Sequence, residues 1–148
     1  WYIAHPPIPL SQMAANLEIE MIGRPDSLAG GVGRAWLTGY ERSNMGEMLA
    51  AKGIPIVPDK RPDQNFFQRS DNYALAVEGI VAHTVSSFNL HKEYHTPADD
   101  LAHIDFGHMT MSIQSMFAPV MWLANSTFVP AWIPDGQPSR GARKDCTK

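Results

Sequence analysis

Two residues stand where metal or acid–base chemistry is commonly done. Glu20 lies near the end of the alternating run Asn16-Leu17-Glu18-Ile19-Glu20-Met21-Ile22, shortly before Gly23 and Pro25 interrupt it. His95 lies in Glu93-Tyr94-His95-Thr96-Pro97-Ala98-Asp99-Asp100, a few residues past the β-branched, strand-like run Gly79-Ile80-Val81-Ala82-His83-Thr84-Val85-Ser86. Both therefore sit at strand ends, and in open α/β sheets the carboxyl ends of strands face a common crevice. A carboxylate and an imidazole placed there can each ligate zinc. Plainer roles compete with this one. Glu18 and Glu20 also suit the solvated face of an edge strand. Thr96 as N-cap, Pro97 at the first helical position and Asp99 in the first turn describe an ordinary helix start, which accounts for those three residues but not for His95. His91 and His95 stand four apart, yet Pro97 and Ser86-Ser87 speak against a helix there, so no two-histidine helical site is expected.

A second group, Gln64-Asn65-Phe66-Phe67-Gln68-Arg69-Ser70-Asp71-Asn72, is dense in polar residues around two adjacent phenylalanines. Phe66 and Phe67 suit a side-chain pocket or the core, and Ser70 and Asp71 suit the N-cap of a following helix. Familiar catalytic signatures are absent: there is no Gly-x-Ser-x-Gly, no Gly-x-x-x-x-Gly-Lys and no His-Glu-x-x-His. Gly31-Val32-Gly33 lacks a third glycine in register and reads as a surface loop.

The elements that must carry these residues can be read from periodicity. Asn16–Ile22 alternates as a strand, with Leu17, Ile19 and Met21 on one face. Ala35–Thr38 and Ile54–Val57 are short strand-like runs, and Gly79–Ser86 is β-branched and continuous enough for a buried strand. Asn44–Lys52 reads as a helix stopped by Gly53, and Asn72–Glu78 as a second stopped by Gly79. Phe106–Asn125 is the longest helical pattern; Met109, Ile113, Met116, Val120 and Leu123 form its core-facing stripe, and Pro119 should kink it. Strands alternating with helices predict an α/β domain over residues 1–134, with 135–148 as a mobile tail.

Composition narrows the function classes. The 148 residues are 44% hydrophobic and 18% charged, enough for one domain with a sizeable core. Twelve Lys and Arg against fifteen Asp and Glu leave a net charge of -3, without a basic stretch to track nucleic acid. The longest purely apolar run, Phe117–Ala124, is far short of the roughly 20 residues of a membrane span. The single cysteine, Cys146, rules out an internal disulfide and a cysteine-based zinc site. A start at Trp1, without Met, a basic region or an apolar leader, reads as a processed or truncated product.

Three blocks taken together, Asn16 to Arg24, Arg69-Ser70-Asp71-Asn72, and Tyr94-His95-Thr96-Pro97-Ala98-Asp99 followed by Ile104-Asp105, resemble the family 28 metallopeptidases. These are co-catalytic zinc exopeptidases of the bacterial leucyl aminopeptidase type. The resemblance runs from His5-Pro6-Pro7-Ile8-Pro9 to about Pro134 and implies the C-terminal half of a mixed-sheet, three-layer α/β/α domain. It implies two zinc ions in the complete enzyme, with Glu20 on one, where the family commonly has Asp, and His95 on the other. Asp99, Arg69, Ser70, Asp71 and Tyr94 would stand behind the metals or against the substrate, and Phe66, Phe67 and Phe88 would line the pocket for the first side chain. The family often has His where this chain has Asn72, so no role is carried over to that position. A further His, a bridging Asp and a Glu-Glu pair that includes the general base belong upstream of Trp1 in the family. No catalytic base is therefore assigned within this chain, and an N-terminal half or a second chain is the expected partner. The implied activity is removal of N-terminal residues from peptides, in a secreted or periplasmic setting. The alternatives are a catalytically incomplete binding or structural module on the same scaffold, or a glutaminyl cyclase-like acyl transferase with one zinc.

Overall fold

A computed structural model describes residues 1–139 of the chain. A four-stranded sheet forms its centre: β1 (Asn16–Ile19), β2 (Ala35–Leu37), β3 (Ile56–Pro58) and β4 (Ala82–Ser86), in the order β1-β4-β2-β3. β1 runs parallel to β4 and β2 parallel to β3, while β2 and β4 are antiparallel, so the sheet is mixed as expected. The helices are α1 (Met45–Ala51), α2 (Phe66–Arg69), α3 (Asn72–Ala76) and α4 (Phe106–Asn125).

All five residues of β4 are buried because the strand has a neighbour on each edge and helices over each face. Leu37 and Val85 are register partners across β2 and β4, and they pack with Met45 and Leu49 of α1 and Met116 of α4. Trp36 and Ala82 point to the opposite face, where Phe66 and Phe67 of α2 and Tyr73 and Ala76 of α3 cover them. The sheet is thus the middle of three layers, an α/β architecture.

Several boundaries differ from the expected ones for local reasons. β1 stops at Ile19 because Met21 takes a left-handed φ of 52°, although Glu20 N–H still donates to Val85 O at 3.0 Å. β4 starts at Ala82 rather than Gly79: Gly79 has φ 97°, and Ile80 N–H turns back to Leu75 O at the end of α3. β3 starts two residues later and ends one later than expected, at Ile56–Pro58.

The expected face of α4 needs correction. Its buried residues are His108, Ser112, Met116 and Pro119, whereas Ile113 and Val120 are exposed. Two of the four are polar, and their burial rests on hydrogen bonds that hydropathy periodicity does not register. His108 Nδ1 accepts from Gly33 N–H at 2.9 Å, and Ser87 Oγ lies 2.9 Å from His108 Nε2. The helix assignment continues through Pro119.

The helix start expected at Thr96-Pro97 is also corrected, since residues 92–99 form turns. Thr96 Oγ1 donates to Glu93 O at 2.7 Å and accepts from Ala98 N–H at 3.3 Å. The capping roles fall later, on Asp100 for the 3-10 turn Leu101–His103 and on Asp105 for α4. Asp71 does occupy the N-cap position of α3, but its side chain makes no capping bond. Of the expected tail, Gly136 accepts a hydrogen bond from Arg42 at its carbonyl, and residues 140–148 lie outside the described residues. Among the described residues no helix is long and apolar enough to cross a membrane.

Candidate functional site

A cavity of about 420 Å³ opens over the carboxyl ends of β1 and β4. Glu20 enters it from the residue after β1, and Ser86 from the last position of β4. His95 enters from the turn segment after β4, together with Tyr94 and Asp99. Arg69, Ser70 and Asp71 line it from the junction of α2 and α3. Three aromatic residues form its floor: Trp36 stacks on Phe66 at 5.0 Å between centroids, and Phe88 meets Phe66 edge-on at 5.7 Å.

Phe67 is not among these groups. It points into the core, edge-on to Tyr73 at 5.7 Å and Trp132 at 6.3 Å, with the Arg42 guanidinium 4.7 Å from its ring centre. Adjacent helical residues diverge by about 100°, so one phenylalanine of the pair faces the cavity and the other the core. Trp36 was not singled out in the sequence. The signal for it was its place in a short strand, between Ala35 and Leu37 and thus on the opposite face from both.

Glu18 and Glu20 share a face of β1 but have different surroundings. Glu18 accepts from Thr84 Oγ1 at 2.8 Å and from Asn72 N–H at 3.2 Å, so its charge is met by structural donors. Asn72, fully buried, donates from Nδ2 to Ala82 O at 3.1 Å, and its Oδ1 lies 2.9 Å from Thr84 Oγ1. It therefore braces the strand layer and does not line the cavity. Glu20 has weaker support. Burial, then the charges of Glu18 and Asp71, push its carboxyl pKa up, against the opposing hydrogen bond of Ser70. A cation at this position would reverse both the desolvation and the repulsion.

His95 has a left-handed φ of 58° and stacks on the Tyr94 ring at 3.8 Å, while Tyr94 packs against Phe88 at 4.6 Å. Positive φ at a non-glycine residue carries a conformational cost and recurs at sites under functional constraint. Asp99 is held below the usual carboxylate range by its hydrogen bond from His91 and by Arg24. Arg24 likewise holds Glu93 low.

The site's donor types suit zinc: the carboxylates of Glu20, Asp71 and Asp99 and the imidazole of His95, all on the cavity wall. Their grouping falls short of a catalytic set. Among the described residues no group of three His, Cys, Asp or Glu side chains could hold a metal ion. A carboxylate and an imidazole thus open onto one cavity, over an aromatic floor at the strand ends. A sequence profile of Peptidase family M28 matches residues 1–119.

The chain belongs to peptidase family M28.

That family is one of zinc-dependent peptidases, so this chain is of the hydrolase class, with metal binding as the family's shared requirement. No curated protein and no solved structure matched the chain in the corresponding searches. Within the M28 match lie Glu20, His95 and every other residue lining the cavity.

Proposed function

We propose that this chain contributes one wall of the active site of a zinc aminopeptidase, with Glu20 and His95 as ligands to two zinc ions and a peptide's N-terminal residue as the group recognised. The observation that carries this reading is the shared cavity: a partly buried carboxylate facing two like charges and a conformationally constrained imidazole open onto one space floored by Trp36, Phe66 and Phe88. Zinc supplies Lewis acidity to the scissile carbonyl and lowers the pKa of the attacking water. The aromatic floor supplies an apolar seat for the first side chain. Asp71 supplies negative charge that suits a free α-ammonium, Asp99 being paired with Arg24. The remaining ligands and the general base come, in this reading, from polypeptide beyond the described residues.

Glu20→Ala and His95→Ala in the full-length protein test it. Each should lower zinc stoichiometry and reduce cleavage of aminoacyl substrates by orders of magnitude, while leaving blocked peptides uncleaved in every form. Unchanged zinc content and activity in both would overturn the ligand assignment.

A second reading is favoured by the lack of a three-ligand group among the described residues: the chain acts as a binding or structural module on the peptidase scaffold. Added zinc then leaves its melting temperature unchanged, whereas zinc binding by the native state raises it by mass action.

A further inference from the structure

We propose that Arg24 is the positioning residue that holds His95 at its working distance from Glu20, by tying the end of β1 to the turn segment that carries the imidazole. This inference rests on the reading of Glu20 and His95 as metal ligands. Arg24 lies four residues past Glu20, in the Gly23-Arg24-Pro25 break. Its guanidinium forks: Nη1 donates to Glu93 Oε2 at 2.9 Å and Nη2 to Asp99 Oδ1 at 2.6 Å. Glu93 precedes His95 by two residues and Asp99 follows it by four, so the fork closes both ends of a segment in which no residue belongs to a helix or strand. The His95 ring itself offers little restraint. It is exposed, stacks on Tyr94, and forms no hydrogen bond among the described residues, while its backbone is held at φ 58°. A left-handed conformation of that kind persists only where its surroundings impose it.

The fork is useful only if its own base is fixed, and it is. Ser87, the residue after β4, donates from Oγ to Arg24 O at 2.7 Å. His108 of α4 meets Ser87 Oγ through Nε2 at 2.9 Å, and its Nδ1 accepts from Gly33 N–H, which places the imidazole proton on Nε2. All three partners are buried. A second strap, Asn89 Nδ2 to Pro25 O at 3.1 Å, holds the same break to the start of the His95 segment. Guanidinium is the group that bonds two separate carboxylates with fixed angles; an ammonium at the same place is a point charge on a flexible stem.

The test uses Arg24→Ala, Arg24→Lys and Glu93→Gln in the full-length protein, with His95→Ala as control. Two readouts are taken: hydrogen exchange across residues 91–99 in metal-free protein, and zinc affinity by competition with a chelator. Arg24→Ala should speed exchange in that segment and weaken zinc binding by about 10- to 100-fold, the range for partners that orient a ligand. Arg24→Lys should recover part of both, and Glu93→Gln should weaken both to a smaller degree. If Arg24→Ala does not fold, Glu93→Gln and Arg24→Lys carry the same comparison. Wild-type exchange and affinity in all three variants would overturn the proposal, as would faster exchange without any loss of zinc affinity. If His95→Ala keeps wild-type zinc affinity, the ligand reading beneath the proposal falls and the proposal falls with it. That outcome is distinct from failure of the Arg24 variants alone.

Discussion

Arg61 grips Asp26 with both guanidinium nitrogens, at 2.6 and 2.8 Å, and the carboxylate is completely buried. Asp26 also caps the 3-10 turn Ser27–Ala29 by accepting from Leu28 N–H, so one side chain fixes the loop after the Arg24 break and joins it to the segment after β3. Removing either partner leaves a charge in a place water barely reaches. Asp26→Ala and Arg61→Ala should each lower the unfolding free energy by about 3 kcal/mol, measured by urea titration. The double variant should cost less than the two losses added, because no unpaired charge remains.

His83 is buried between Thr38 and Ser43, donating from Nδ1 to Thr38 O at 2.7 Å and accepting at Nε2 from Ser43 Oγ at 2.7 Å. Burial lowers its pKa from 6.5 to about 4. The unfolded chain therefore takes up this proton first as pH falls, and stability present above pH 6.5 is lost between there and pH 4. The expected loss from this group is about 3 kcal/mol. His83→Gln, which keeps a donor and an acceptor without titrating, should flatten that part of the curve when unfolding free energies are compared from pH 7 to pH 4.5.

Glu20 is expected to trade stability for metal binding. Its raised pKa means that the folded state favours the neutral carboxyl, so ionisation at neutral pH costs stability in metal-free protein. Glu20→Gln should raise the melting temperature of the metal-free form slightly and remove most of the temperature gain on adding zinc. Calorimetry with and without zinc reads both.

Met116 and Phe117 are neighbours on α4 with opposite fates, 3% and 70% exposed. Met116→Ala should cost about 3 kcal/mol through lost contacts with Leu37 and Val85 and the cavity left behind. Phe117→Ser should change stability by less than about 0.5 kcal/mol. The pair calibrates which face of the helix the core holds.

That same helix shows how far the sequence could be read. Local rules succeed where one cause dominates. Gly53 with φ 85° ends α1, and the unbroken burial of β4 follows from its having neighbours on both edges and both faces. They fail on α4 because buried His108 is satisfied by Gly33 and Ser87 from distant segments and Ser112 lies against His108 one turn back, while Ile113 and Phe117 face outward. Thr96-Pro97 mimics a helix start without being one, since Thr96 Oγ1 is engaged by its own turn. For the site, Glu20 and His95 could be named from strand ends and motif. Trp36 and Arg24 could not, because their roles depend on which strands pair and on what the break after β1 reaches across to.

The sheet order has a consequence for how the molecule comes into being. β1, which delivers Glu20, pairs with β4, and Glu18 bonds Thr84 across 66 residues of sequence. β2 and β3, by contrast, are joined through the single short helix α1. Pairings between close neighbours form early, and those that close a long loop wait for the rest to be in place. The two halves of the candidate site are therefore joined by the pairing of greatest sequence separation in the sheet. A chain still emerging from the ribosome carries Glu20 for more than sixty residues before the strand that gives it a place exists, so a partly made copy cannot assemble even this wall of the site.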